Sequence, residues 1–136
     1  MTIEGGNPHT LAAPIGPFRH YTVSPDGHRM VFVSGQIGQD TSGELVDGGC
    51  FEQTLQIFRN LDLILQEVGA TPQHVVKLFT IVTGEGSFGE FARARTEVFN
   101  RWYPTGDYPA HSAFAAAELA APELLVELEA VVAVPR

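Results

Sequence analysis

Two glutamates, Glu127 and Glu129, interrupt the otherwise apolar run LLVELEAVVAV at Leu124–Val134. Side chains alternate across a strand, so residues two apart share a face. Leu125, Glu127, Glu129, Val131 and Ala133 then line one side, while Leu124, Val126, Leu128, Ala130 and Val132 make the other wholly apolar. Adjacent carboxylates in a greasy strand fit a surface that meets water or one that meets something polar. A carboxylate partly shut from water has a raised pKa and can serve as acid or base. The other chemistry-bearing types are sparse. His9, His20, His28, His74 and His111 show no metal-ligand spacing, so no metal is expected. Cys50, the single cysteine, rules out an intrachain disulfide and fits a reducing compartment. It lies at the start of a helix, where a thiol pKa can fall, but no base accompanies it and an incidental thiol is expected.

The elements that must position these residues follow from periodicity. FRHYTVS and HRMVFVSGQIG, separated by Pro25, Asp26 and Gly27, are expected as a hairpin joined at Ser24–Gly27. From Phe51 to Val68, Phe51, Leu55, Phe58, Leu61, Leu65 and Val68 recur at helical spacing, widened by Ile57 and Ile64, with Gly69 as C-terminal cap. Thr71 and Pro72 predict a single turn before the strand VVKLFTIV. Phe88, Phe91, Ala92, Arg95, Val98, Phe99 and Trp102 then repeat as a second helix, with Ser87 as N-cap and the aromatic residues in the core. AHSAFAAAEL and the final run close the chain as strands. The expected fold class is α+β, a mixed sheet with two helices on one face. Several strands carry apolar residues on both faces, so the second sheet face calls for cover by self-association.

Length and composition set the outer bounds. The 136 residues suit one domain, 1–136, with 1–12 expected as a flexible N-terminal arm. Apolar residues make up 44% and charged residues 18%, as in soluble globular chains. No run is long and greasy enough for a bilayer, and MTIEGGNPHT lacks signal-peptide order, so a cytoplasmic location is expected without membrane contact. With 16 acidic and 8 basic residues the net charge is −8, which argues against nucleic acid as a partner.

The segments APIGPF, FVSGQIG, TSGELV, QTLQIFRNLDLILQEVGA, VVKLFTIVT, YPAHSAF and VELEAVVAV, in this order from Ala13 onward, resemble the RidA/YjgF family, also called L-PSP endoribonucleases. The resemblance implies a fold like that of the small chorismate mutases, in a homotrimer with ligand clefts between subunits. It also implies hydrolysis of enamines and imines to carbonyl compounds and ammonia, with neither metal nor cofactor. Carried over by position, Glu127 holds the attacking water, and the Gly35 backbone approaches the ligand between Ser34 and Gln36. His111 stands where the deaminases have an arginine, Phe18 where they have a tyrosine, and Ala113 where they often have a cysteine. Glu127 could equally be a structural glutamate bonded to a neighbouring strand, and Glu129 is expected to be structural. Phe18 is expected as an apolar wall of the cleft.

The missing arginine matters because a guanidinium holds a carboxylate through two parallel hydrogen bonds, whereas histidine offers one donor and partial charge. In the hydrolase reading His111 is expected to act at the site in place of the clamp, against the alternative of an ordinary rim histidine, and Arg19 or an arginine of a neighbouring subunit is the cation expected to compensate. Two functions follow, an imine hydrolase or a small-molecule-binding member without turnover. Ribonuclease activity is disfavoured by charge.

Overall fold

A computed structural model describes residues 3–136. The strands are β1 (Gly5–Gly6), β2 (Tyr21–Thr22), β3 (His28–Gln36), β4 (Val75–Val82), β5 (Ala110–Ala115) and β6 (Val126–Pro135). The helices are α1 (Cys50–Val68) and α2 (Ser87–Trp102), with a single 3-10 turn at Pro72–His74. The main sheet runs β3-β6-β4-β5. Strand β6 is antiparallel to both β3 and β4, whereas β4 and β5 are parallel. The expected α+β class therefore holds.

The last strand of the chain inserts between two earlier ones, which explains its greasiness. As an inner strand β6 is flanked on both edges, and Val126, Leu128, Ala130, Val132 and Val134 point into the helix-covered core. Leu61 and Leu65 of α1 and Phe91, Val98 and Phe99 of α2 meet this face. Phe58 sits edge-on to Phe99 and Trp102, with centroids 6.0 and 5.4 Å apart. Gly69 ends α1 in the left-handed region at φ 78°, as its position predicts.

The other face of the sheet is bare in the protomer. Phe32 is 77% and Phe114 49% exposed, and Phe79, Ile81 and Val131 are half-buried beside them. This apolar surface is the one that the two-sided strand pattern anticipated.

Two local expectations are corrected. The hairpin does not form: β2 pairs with β1 in a separate ribbon, through Gly5↔Thr22 and Gly6↔Tyr21. Pro25–Gly27 still turns the chain, with Gly27 at φ 70°, but it delivers β3 to β6. In the N-terminal segment Ile3 is buried, and the Asn7 side chain accepts a hydrogen bond from the His20 amide at 2.7 Å. Residues 1 and 2 lie outside the described residues. Finally, Gly86 at φ 79° is the N-cap of α2, and Ser87 is its first, buried residue.

Gly89 offers a simple stability test. A methyl group there would meet nothing within 4 Å, and its φ is not positive. Gly89→Ala should stabilise the fold by about 0.5–1 kcal/mol through reduced backbone entropy of the unfolded chain, read as a higher urea midpoint with an unchanged slope.

Candidate functional site

The chemistry-bearing residues fall into two groups on opposite faces of the sheet. Glu127 pairs with Ile81, and Ile81 with Phe114, so its side chain lies on the bare face. His111 pairs with Leu78, a fully buried residue beneath the helices, which places His111 on the covered face at the edge strand β5.

The first group is built by a bulge. Pairing of β3 with β6 runs evenly to Val33↔Ala130 and then resumes at Gln36↔Leu128, so Ser34 and Gly35 together oppose one residue of β6. The bulge sets Gly35 directly against the Glu127 carboxylate: a Cβ on Gly35 would clash with Oε2. Glycine is therefore required here for space. Ser34 and Gly35 are both exposed, and Glu127 is half-buried. No hydrogen bond among the described residues ties the Glu127 carboxylate to a neighbouring strand, although a structural glutamate would have one. Glu129 lies farther along the same face, exposed beside Lys77 and Phe79.

Gln53 holds the start of β6 in place. This buried α1 residue donates from Nε2 to the Glu123 carbonyl at 2.9 Å and accepts from the Leu125 amide at 3.0 Å. Sequence reasoning missed it, although a glutamine on the apolar side of an amphipathic helix was a visible signal.

The second group lines a cavity of about 250 Å³, where Phe18, His111 and Ala113 meet Ile15, Phe88 and Arg95. Phe18 forms part of the cavity wall. His111 shares a 2.8 Å hydrogen bond between Nε2 and the Thr80 hydroxyl, while its Nδ1 is buried without a partner. Burial first, then the positive charges of Arg95 and Lys77, push its pKa down to about 3. His111 is therefore neutral at pH 7, and a charged imidazole does not take over the carboxylate clamp.

Arg19, the expected substitute, is committed elsewhere. Its Nε donates to the Tyr108 carbonyl at 2.6 Å and its Nη2 to the Ile3 carbonyl at 2.8 Å. Its amide bonds Pro109 at 3.3 Å, so the residue staples the loop that carries Phe18 to the lead-in of β5. The cation that does line the cavity is Arg95 of α2. Its signal was a permanent charge inside an apolar helical stripe.

Cys50 is fully buried, with Sγ 3.3 Å from the Ser87 carbonyl, and burial raises its thiol pKa. It is a packing residue. Among the described residues no group of three or more His, Cys, Asp or Glu side chains is arranged to hold a metal, and no helix is long and apolar enough to cross a membrane.

Neutral His111 has a measurable consequence. The unfolded histidine takes up its proton near pH 6.5 and the folded one only near pH 3, so acid favours the unfolded chain. Its contribution is fully present above pH 6.5 and is lost progressively as pH falls toward 3, at up to about 1.4 kcal/mol per pH unit. Urea melts between pH 7 and 4 should show a shallower acid decline for His111→Gln than for wild type.

The fold and the split site define a class: a small α+β protomer with its candidate residues divided between the two faces of one mixed sheet. The family model described as Endoribonuclease L-PSP matches residues 10–134, and the chain belongs to this family, the RidA/YjgF proteins. The chain is 33% identical over 108 residues to the 2-iminobutanoate/2-iminopropanoate deaminase of Mus musculus, covering 79% of this chain and 74% of that protein. The Homo sapiens protein of the same name is 31% identical over 113 residues, covering 81% and 77%. Among solved structures, the Rid-family protein YyfB of Yersinia pestis superposes with a TM-score of 0.83 at 33% identity, covering 98% of this chain and all of that one.

Proposed function

We propose that the chain forms a homotrimer in the cytoplasm and hydrolyses a small reactive imine or enamine in clefts between its subunits. The observation that carries this reading is the Glu127 carboxylate, unbonded and set against bare Gly35 on the uncovered apolar face. Docking that face on the β5 edge of a neighbour would cover Phe32 and Phe114 and bring Glu127 to the cavity at His111. There Glu127 accepts a proton from water as its oxygen attacks the C=N carbon. The nitrogen takes up that proton to give a carbinolamine; Glu127 then carries the hydroxyl proton to the nitrogen as the C–N bond breaks, so ammonia leaves and the carbonyl compound remains. The relatives named 2-iminobutanoate/2-iminopropanoate deaminase support the substrate class.

Neutral His111 favours a second reading, binding of a small metabolite without turnover. Ammonia release from freshly generated imines separates the two, with particle mass measured on the same sample. Turnover with a mass three times the 14.7 kDa protomer supports the hydrolase. A trimer that binds the oxoacid product but releases no ammonia supports the binding reading. The net charge of −8 remains unsuited to an RNA substrate.

A further inference from the structure

Arg95 is the most unusual side chain in the molecule. It is 9% exposed, its Nε is buried without a hydrogen-bond partner, and no carboxylate among the described residues pairs with it. Its guanidinium instead lies 5.1 Å from the centre of the Phe91 ring and close to the Gly16 backbone, at the wall of the cavity that holds Phe18 and His111. Burying a cation without a counter-charge is costly, and the Phe91 ring offsets only part of that cost. The missing partner is therefore an anion that arrives from outside.

We propose that Arg95 is the anion-holding residue of the cleft, so that its ligand is a small organic molecule bearing a carboxylate or comparable oxyanion. The contact comes from helix α2, and β5 contributes the uncharged His111. The planar fork of a guanidinium matches two oxygens of such a group. If the Thr80 hydroxyl donates to Nε2 of His111, the ring proton resides on the orphaned, buried Nδ1, and His111 adds no charge to the cavity wall. The rest of the ligand meets Phe18, Phe88 and Ile15, which is fully exposed at the cavity lip. This inference rests on the proposed function for the identity of the cleft, but it concerns binding and stands apart from turnover.

Calorimetric titration of the full chain with sodium 2-oxobutanoate, inorganic phosphate and uncharged butan-2-one tests it. Wild type should bind 2-oxobutanoate or phosphate, and whichever binds identifies the anion. Arg95→Gln should weaken that anion by ~10- to 100-fold and leave butan-2-one within twofold, while Arg95→Lys should recover part of the loss. Without ligand, Arg95→Gln and the better-packed Arg95→Met should melt at or above the wild-type temperature, because a buried unpaired charge has been removed. The melting increment that the anion gives wild type should disappear.

Anion affinity unchanged in Arg95→Gln overturns the proposal, as does a wild type that binds neither anion. So does dissociation of the assembly in both neutral variants, which would mean that a carboxylate of a second copy pairs with Arg95. Wild type that hydrolyses imines with a KM unaffected by Arg95→Gln would keep the hydrolase and sink this inference. Arg95-dependent anion binding without ammonia release would do the reverse.

Discussion

Glu127→Gln should lower imine hydrolysis by about 10²- to 10⁴-fold, the range that a positioned acid or base supplies. The substitution keeps the shape of the side chain and its fit against Gly35, but the amide cannot accept the proton of the attacking water. Stability should change little, because no described hydrogen bond ties the carboxylate into the sheet. The loss should appear in kcat, with oxoacid affinity retained, since the anion contact is assigned to Arg95 on the other group of residues. Steady-state ammonia release with product titration on the same preparation checks this. Full activity in Glu127→Gln would remove Glu127 from the chemistry and leave it a spectator on the bare face.

Gly35→Ala should cost about 100-fold in turnover, because misplacing a reacting group by roughly an ångström has that effect. The added Cβ would clash with Glu127 Oε2 and sit 2.7 Å from its carboxyl carbon, so the side chain must rotate away. Gly35 has no positive φ, so backbone strain is not the cause. Unfolding by urea should therefore move far less than activity. The double variant supplies the decisive comparison. If Gly35 acts through Glu127, Gly35→Ala added to Glu127→Gln should cost little more, whereas independent roles would multiply. A multiplied loss would mean that the Gly35 backbone contributes to ligand approach separately from the glutamate.

Much of the scaffold was legible because local periodicity is enforced by burial. The stripe from Phe51 to Val68 formed its helix, and Gly69 capped it. The alternation around Glu127 correctly divided β6 into a buried and a bare face, since a strand between two neighbours keeps strict parity. The hairpin was misread for a related reason. Tyr21–Thr22 has strand character, yet strand character does not name a partner, and Gly5–Gly6 takes the edge that β3 was expected to occupy. Ser87 has the preferred chemistry of an N-cap, but Gly86 alone can adopt the left-handed turn that opens α2, so conformation prevailed over side-chain preference.

The residues of the site were readable singly and their relations were not. The sequence by itself determined which residue types could act, how each strand divides into two faces, and that one sheet face would remain uncovered. The tertiary structure alone decided that β6 inserts between β3 and β4, that Glu127 and His111 consequently lie on opposite faces, and that Arg19 is tied down while Arg95 is not. The physical reason is range. Alternation and helical repeat follow from backbone geometry within a few residues, whereas strand order, burial of a charge and the presence of its partner depend on segments brought together from across the chain.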